Sequence, residues 1–134
     1  FAVLFPDDVY FGDTPAISQL MKVFETSDKP VVGLKKVSQE KISSYGSAKV
    51  EKIANRLYCL KDFIEKPEAK EAPSDLVSCG RYVFTNEIFD YLKKVKPNEK
   101  GEIILASAIK LMIEDGKMVY GYEIIVKNIL PKII

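Results

Sequence analysis

Five apolar residues in unbroken succession, Phe1-Ala2-Val3-Leu4-Phe5, stop at Pro6, and a loop with three aspartates, Asp7, Asp8 and Asp13, leads to Thr14-Pro15. An apolar run closed by a proline predicts a strand buried on both faces, as in a parallel sheet. Thr14-Pro15 predicts a helix start, with Thr14 as N-cap and Pro15 in the first helical position. Ile17, Leu20, Met21 and Phe24 then share one helical face, and Val31 to Val37 supplies the next strand. Strand, helix and strand in that order form a βαβ unit, which commits the chain to an α/β sheet.

Downstream the pattern changes. Ser38 to Ser44 is polar, a short helix or loop ending in Tyr45-Gly46. Ala48 to Ala54 and Leu57 to Ile64 read as two strands joined by a tight turn at Asn55-Arg56. Glu65-Lys66-Pro67 closes the second strand, and Glu68 to Asp75 is a charged loop. Leu76 to Thr85 predicts a further strand, interrupted at Gly80. Two helices follow, one from Asn86 to Val95 with Ile88, Phe89, Leu92 and Val95 inward. The other runs from Glu102 to Asp115 with Leu105, Ala108, Ile109 and Met112 inward, and stops at Gly116. Met118 to Val126 is the last predicted strand, and the residues from Ile129 to Ile134 form an apolar tail. The 134 residues amount to one domain, with no internal repeat and no linker.

Several chemistries are excluded by composition. The chain has no histidine, so neither a Ser–His or Cys–His nucleophilic system nor a His-ligated zinc site can be built. Twenty basic residues against 19 acidic ones leave a net charge of +1, too little to neutralise many phosphates, so nucleic acid is not an expected partner. No apolar run is long enough to span a bilayer. Cys59 and Cys79 lack metal-ligand spacing and are expected to be free buried thiols in a reduced, cytoplasmic protein. What remains is chemistry by carboxylates, lysines, backbone amides and a hard metal ion.

Taken singly, the conspicuous polar residues have ordinary explanations. Asp7-Asp8 can start a turn. Glu65-Lys66 can be a solvated charge pair before a proline. Gly46 and Gly80 can be a turn glycine and a bulge glycine. Arg81 is read as structural, and Glu102 as an acid in the first turn of a helix.

Their order along the chain is more telling. FAVLFPDD (1–8), Tyr45-Gly46, FIEKP (63–67) and CGRYVFT (79–85), followed by Glu87-Ile88-Phe89 and Lys100-Gly101-Glu102-Ile103, succeed one another at spacings found in one family. In this the chain resembles the sugar-1-phosphate nucleotidyltransferases, most closely the UTP–glucose-1-phosphate uridylyltransferase type, over about residues 1 to 126. The resemblance implies a Rossmann-like mixed α/β sheet of the nucleotide-diphospho-sugar transferase type. It implies UTP and glucose 1-phosphate as substrates and Mg²⁺ as cofactor. Asp7 matches the family's metal aspartate, Glu65 the residue that hydrogen-bonds sugar hydroxyls, and Lys66 the lysine on the sugar phosphate. Gly46 and Gly80 match main-chain positions lining the sugar. An ionised carboxylate accepts two hydroxyl donors, and a lysine ammonium is a compact charge for a phosphate dianion. In a regular strand Glu65 and Lys66 would point to opposite faces, so one site for both requires a bend near Pro67.

Some family features do not occur here. There is no G-x-G-T-R loop of the kind that wraps the triphosphate, and the family pattern GEIQLTDAI reads GEIILASAI, with Ile104, Ala106 and Ser107 at the altered positions. After Tyr122-Glu123 the stretch from Ile124 to Ile134 departs from the aspartate-bearing segment of the family. The chain from 1 to 134 is therefore expected to be a single partial domain, the sugar-phosphate portion of a nucleotidyltransferase, inactive alone. It is expected to expose sheet edges and to form a homo-oligomer. Thymidylyl-, adenylyl- or guanylyltransferases are alternatives within the class. A non-catalytic sugar-phosphate binding or oligomerisation module is the alternative outside it.

Overall fold

A computed structural model describes residues 1–129. Strands β1 (Ala2–Leu4) and β2 (Tyr10–Phe11) precede helix α1 (Ala16–Ser27), and β3 (Val31–Lys36) leads through a 3-10 turn (Gln39–Ser44) to β4 (Gly46–Ala54) and β5 (Leu57–Glu65). A second 3-10 turn (Ala69–Glu71) precedes β6 (Leu76–Val83), helices α2 (Ile88–Leu92) and α3 (Leu105–Glu114), then β7 (Tyr120–Glu123) and β8 (Asn128–Ile129). The larger sheet has six strands in the order β1-β6-β3-β7-β5-β4, and β2 pairs with β8 in a small second sheet. Among the described residues, only β3 and β7 run parallel within the larger sheet. The expected mixed α/β architecture is therefore present. No helix among the described residues is long and apolar enough to cross a membrane.

The sheet carries helices on both faces. Val31 and Val32 are fully buried but belong to different apolar clusters, as do Tyr82 and Val83, because neighbouring strand residues alternate sides. Val31, Cys79 and Val83 pack with Leu20 of α1, while Val32, Leu34, Tyr82 and Phe84 pack with Ile88, Ile109 and Met112 of α2 and α3. The predicted hairpin is observed, with Arg56 in the left-handed region (φ +62°) at its turn. The Arg56 guanidinium reaches back to the carbonyls of Glu123 (3.0 Å) and Ile124 (3.1 Å) and ties that turn to the end of β7. β4 also touches β6 once, at Ser47↔Val77, so the sheet curls around its middle.

Four expectations are corrected. The apolar run at the start is not a strand buried on both faces. β1 lies at the sheet edge, antiparallel to β6, and only Val3 of its three residues is half-buried. It borders one strand, so its outward side chains meet solvent. Phe1, half exposed, stacks instead on the equally exposed Phe89 with ring centroids 5.4 Å apart. The strands buried on both faces are β3 and β6.

Helix α1 starts one residue later than expected. Pro15 keeps an extended ψ of 140° and occupies the cap position, with no side chain capping the helix. The inward face contains Gln19 and omits Met21, which is exposed. Gln19 is buried because its amide exchanges two 2.7 Å hydrogen bonds with the backbone of Ile125, as a neighbouring strand would.

The helix expected from Asn86 to Val95 narrows to Ile88–Leu92, with Tyr91 rather than Phe89 turned inward. The Tyr91 hydroxyl donates to Asp115 (2.8 Å), which satisfies its polar tip.

Helix α3 begins at Leu105, because Ile104 is still extended (ψ 122°). Glu102 thus stands before the helix rather than in its first turn. There its N–H donates to the Asn98 side-chain oxygen at 2.9 Å. The apolar tail beyond Ile129 lies outside the described residues.

Candidate active site

The polar residues singled out in the sequence come from four separate elements and converge on one cleft of about 450 Å³. Asp7 and Asp8 enter from the loop after β1, Gly46 from the start of β4, Glu65 and Lys66 from the end of β5, and Gly80 from the middle of β6. The first turn of α3, Leu105 and Ala106, forms the opposite wall with Ile103 and Ile104. A second cleft of similar size is continuous with it through Glu65, Lys66 and Ile104, and is bordered by Asn98, Glu99, Lys100 and Glu102. A larger hollow of about 570 Å³ between α1 and the end of β7 contains none of the five sequence-flagged residues.

A backbone inversion solves the alternation problem at Glu65 and Lys66. Lys66 adopts φ +44°, the left-handed region, so the chain turns out of the strand instead of continuing its pleat. Both side chains then line the same two clefts. The turn is held by the Lys66 N–H, which donates to the Tyr45 carbonyl at 2.9 Å. Such a conformation costs a non-glycine residue of order 1–3 kcal/mol and persists only where the surroundings enforce it.

Within the cleft, glycine is required at two places by close approach. A β-carbon on Gly46 would stand 2.8 Å from Phe63 Cζ and 3.4 Å from Glu65 Oε1. Gly80 has φ +74°, and its β-carbon would stand 2.8 Å from Asp8 Oδ2 and 3.1 Å from Phe5 Cβ. Gly80 is thus what allows the aspartate loop to settle against β6. The Gly80 carbonyl also accepts the Phe5 N–H at 2.8 Å. Arg81 is structural, as expected: its guanidinium donates to the carbonyls of Asp8 (2.7 Å) and Phe5 (3.1 Å) and secures the loop by its main chain.

The floor of the cleft was not legible in the sequence. The Ser78 and Tyr82 hydroxyls, both on buried residues, lie 2.6 Å apart and face the cleft from β6. Burial pushes the Tyr82 phenol well above its ordinary pKa of 10.0. Beneath the floor, the buried Lys35 ammonium stands 3.9 Å from Asp8 Oδ1 and 4.3 Å from the centre of the Tyr45 ring. Tyr10 lies on its other side, donates its hydroxyl to the Cys79 carbonyl (2.8 Å), and is likewise raised in pKa by burial. The available signal was Lys35 itself, a charge inside the apolar strand from Val31 to Val37. The acids that line the cleft are Asp7, Asp8 and Glu65. Among the described residues no three His, Cys, Asp or Glu side chains cluster to hold an ion.

The sequence pattern of the nucleotidyl transferase family matches residues 1–126. The chain belongs to this family. Within it, a UTP–glucose-1-phosphate uridylyltransferase of Staphylococcus saprophyticus is 43% identical over 124 residues, 92% of this chain and 43% of that protein. The Staphylococcus haemolyticus enzyme of the same name is 42% identical over 123 residues, again 92% of this chain and 42% of the relative. The chain therefore spans less than half the length of these curated relatives. A UDP-glucose pyrophosphorylase crystallised with UDP-glucose superposes with a TM-score of 0.89 at 31% identity, covering 95% of this chain and 49% of the other. A UTP-bound UGPase from Acinetobacter baumannii superposes with a TM-score of 0.77 at 27% identity, covering 95% and 44%. Two of the three positions where this nucleotidyl transferase family member departs from the GEIQLTDAI pattern, Ile104 and Ala106, lie on the cleft wall. On that side the cleft is lined by apolar side chains.

Proposed function

We propose that this chain is the sugar-phosphate portion of a UTP–glucose-1-phosphate uridylyltransferase. In the whole enzyme a phosphate oxygen of glucose 1-phosphate attacks the α-phosphorus of UTP, pyrophosphate leaves, and UDP-glucose forms. The observation that carries the reading is the convergence of Asp7, Gly46, Glu65, Lys66 and Gly80, distant in sequence, on one cleft.

Lys66 would neutralise the sugar phosphate, and Glu65 would accept hydrogen bonds from sugar hydroxyls. Gly46 and Gly80 would let the sugar approach the main chain. Such a reaction needs positioning and charge neutralisation more than covalent help. A Mg²⁺ ion suits one or two carboxylates plus phosphate oxygens, which fits Asp7 at the cleft better than a cage of protein ligands would. When bound it would neutralise phosphate charge. The free buried thiols support a cytoplasmic location, and the homo-oligomer expected from the sequence belongs to the same reading.

Calorimetric titration of the chain with glucose 1-phosphate and with UTP, each with and without Mg²⁺, tests the proposal. Glucose 1-phosphate should bind and UTP should bind far more weakly, since the G-x-G-T-R loop is not in this sequence. No pyrophosphate should be released from the two together. Tighter binding of UTP than of the sugar phosphate would overturn the assignment. The apolar Ile104 and Ala106 on the wall favour a second reading, a non-catalytic sugar-phosphate module. A chimera that supplies all of the Staphylococcus saprophyticus relative lying outside the matched 43% separates the two, because only the enzyme reading expects turnover from it.

A further inference from the structure

We propose that Lys35 is a positioning residue that holds the aspartate loop and the Tyr45–Lys66 turn in register across the floor of the cleft. The assignment rests on the reading of that cleft as the sugar-phosphate site. Its basis is a cation placed where cations are costly. Lys35 is 5% exposed, as is Asp8, and their charged atoms are 3.9 Å apart. A buried lysine is tolerated only with compensating charge or π density, because desolvation penalises the ammonium. Lys35 has both kinds. Its ammonium lies by the Asp8 carboxylate on one side, and over the Tyr45 ring (4.3 Å) and near the Tyr10 ring (5.2 Å) on others.

Each of these groups adjoins a residue of the site. Asp8 follows Asp7 directly, and its Oδ2 rests against Gly80. Tyr45 precedes Gly46, and its carbonyl accepts the Lys66 N–H that stabilises the left-handed turn. The two sides of the cleft come from the loop after β1 and from the β4 and β5 ends, elements that do not pair near these residues. One ammonium on β3 touches both. Arg81 still holds the main chain of the loop, so removal of the ammonium should loosen the two segments together without detaching either, whereas loss of an ordinary core side chain would lower stability everywhere.

The experiment compares the 134-residue chain with K35M and K35R by amide hydrogen exchange and by glucose 1-phosphate titration. The proposal expects K35M to speed exchange of the Lys66 amide about tenfold, while the Leu60 amide, bonded to the Val119 carbonyl at 2.9 Å and lining neither cleft, stays as protected as before. Affinity for glucose 1-phosphate should fall about tenfold. K35R, which keeps the cation, should recover most of both losses. Exchange at Lys66 unchanged in K35M, or accelerated equally at Lys66 and Leu60, overturns the proposal.

Should K35M not fold, K35M/D8N removes both charges of the pair together, and fast exchange at Lys66 is still expected because the cation under Tyr45 is gone. Wild-type protection there overturns the proposal. If the unmodified chain binds no glucose 1-phosphate, the functional reading fails, and the exchange comparison still decides the role of Lys35.

Discussion

A β-carbon on Gly80 would stand 2.8 Å from Asp8 Oδ2, at a residue whose φ is already +74°. Gly80→Ala therefore meets two obstacles, a backbone conformation alanine resists and a carboxylate with buried surroundings. The loop from Phe5 to Asp8 should be pushed off β6, at a cost of about 1–3 kcal/mol. Chemical denaturation checks the cost. An unchanged midpoint would show that the aspartate loop has slack and that Gly80 does not shape the cleft.

Lys66 combines an unusual backbone with a charge, and two substitutions separate them. Lys66→Ala removes the charge and keeps the strain of φ +44°, whereas Lys66→Gly removes both. The glycine variant should be the more stable of the two by up to about 1 kcal/mol. Both should lose glucose 1-phosphate affinity alike, by about 1–3 kcal/mol, as for a lost hydrogen bond to a charged group. Calorimetry and denaturation of the pair test this. Wild-type affinity in either variant would remove Lys66 from the phosphate site.

Asp62 on β5 receives the Lys110 ammonium of α3 at 2.6 Å and the Phe63 N–H at 2.8 Å. Partial burial works against its ionisation, but the bonds from Lys110 and Phe63 outweigh it and lower its pKa below 3.8. A lowered folded pKa adds stability that is complete above the ordinary carboxylate value. That stability is lost as the pH falls through the folded value. Asp62→Asn should thus cost about 0.5–1 kcal/mol at pH 7, the pair being partly exposed. The difference from the wild type should close in strong acid. Urea melts at pH 7 and pH 2.5 measure it; an equal gap at both would assign the effect to packing.

Burial pushes the Cys79 thiol up to about 12, in a site with no solvent exposure. In a Cys59→Ala background, which leaves it the sole cysteine, Cys79 should not react with Ellman's reagent at pH 8 until denaturant is added. Prompt reaction in the native state would mean that β6 opens under α1, contrary to its buried position.

Legibility followed distance along the chain. The hairpin about Asn55-Arg56, the break at Gly80 and the stop at Gly116 were readable because each is written within a few neighbouring residues. Helical faces were only partly readable. Met21 and Phe89 have the right spacing but turn outward, while Gln19 turns inward because its amide finds the Ile125 backbone, 106 positions away. The run from Phe1 to Phe5 announced a strand correctly, yet nothing local told an edge strand from a central one, since burial depends on what lies beside it. The site behaved likewise. Asp7, Gly46, Glu65, Lys66 and Gly80 were singled out by their resemblance to a family pattern, and all five line one cleft. Lys35, Ser78 and Tyr82 were missed because their importance lies in Asp8, Tyr45 and each other, contacts that no short window of sequence contains.

The position of β3 bears on how such a chain comes into being. Its two flanking strands, β6 and β7, are both made after it, and β7 ends only at Glu123. During synthesis β3 leaves the ribosome with neither neighbour yet in existence, its apolar residues exposed and its backbone groups bonded to water. The helix laid over it also stays incomplete, since the two bonds between Gln19 and the Ile125 backbone form only when Ile125 arrives. Until β7 is made, β3 lacks its parallel neighbour, so a ribosome stalled before that point would hold a sticky, unfinished sheet for chaperones to meet.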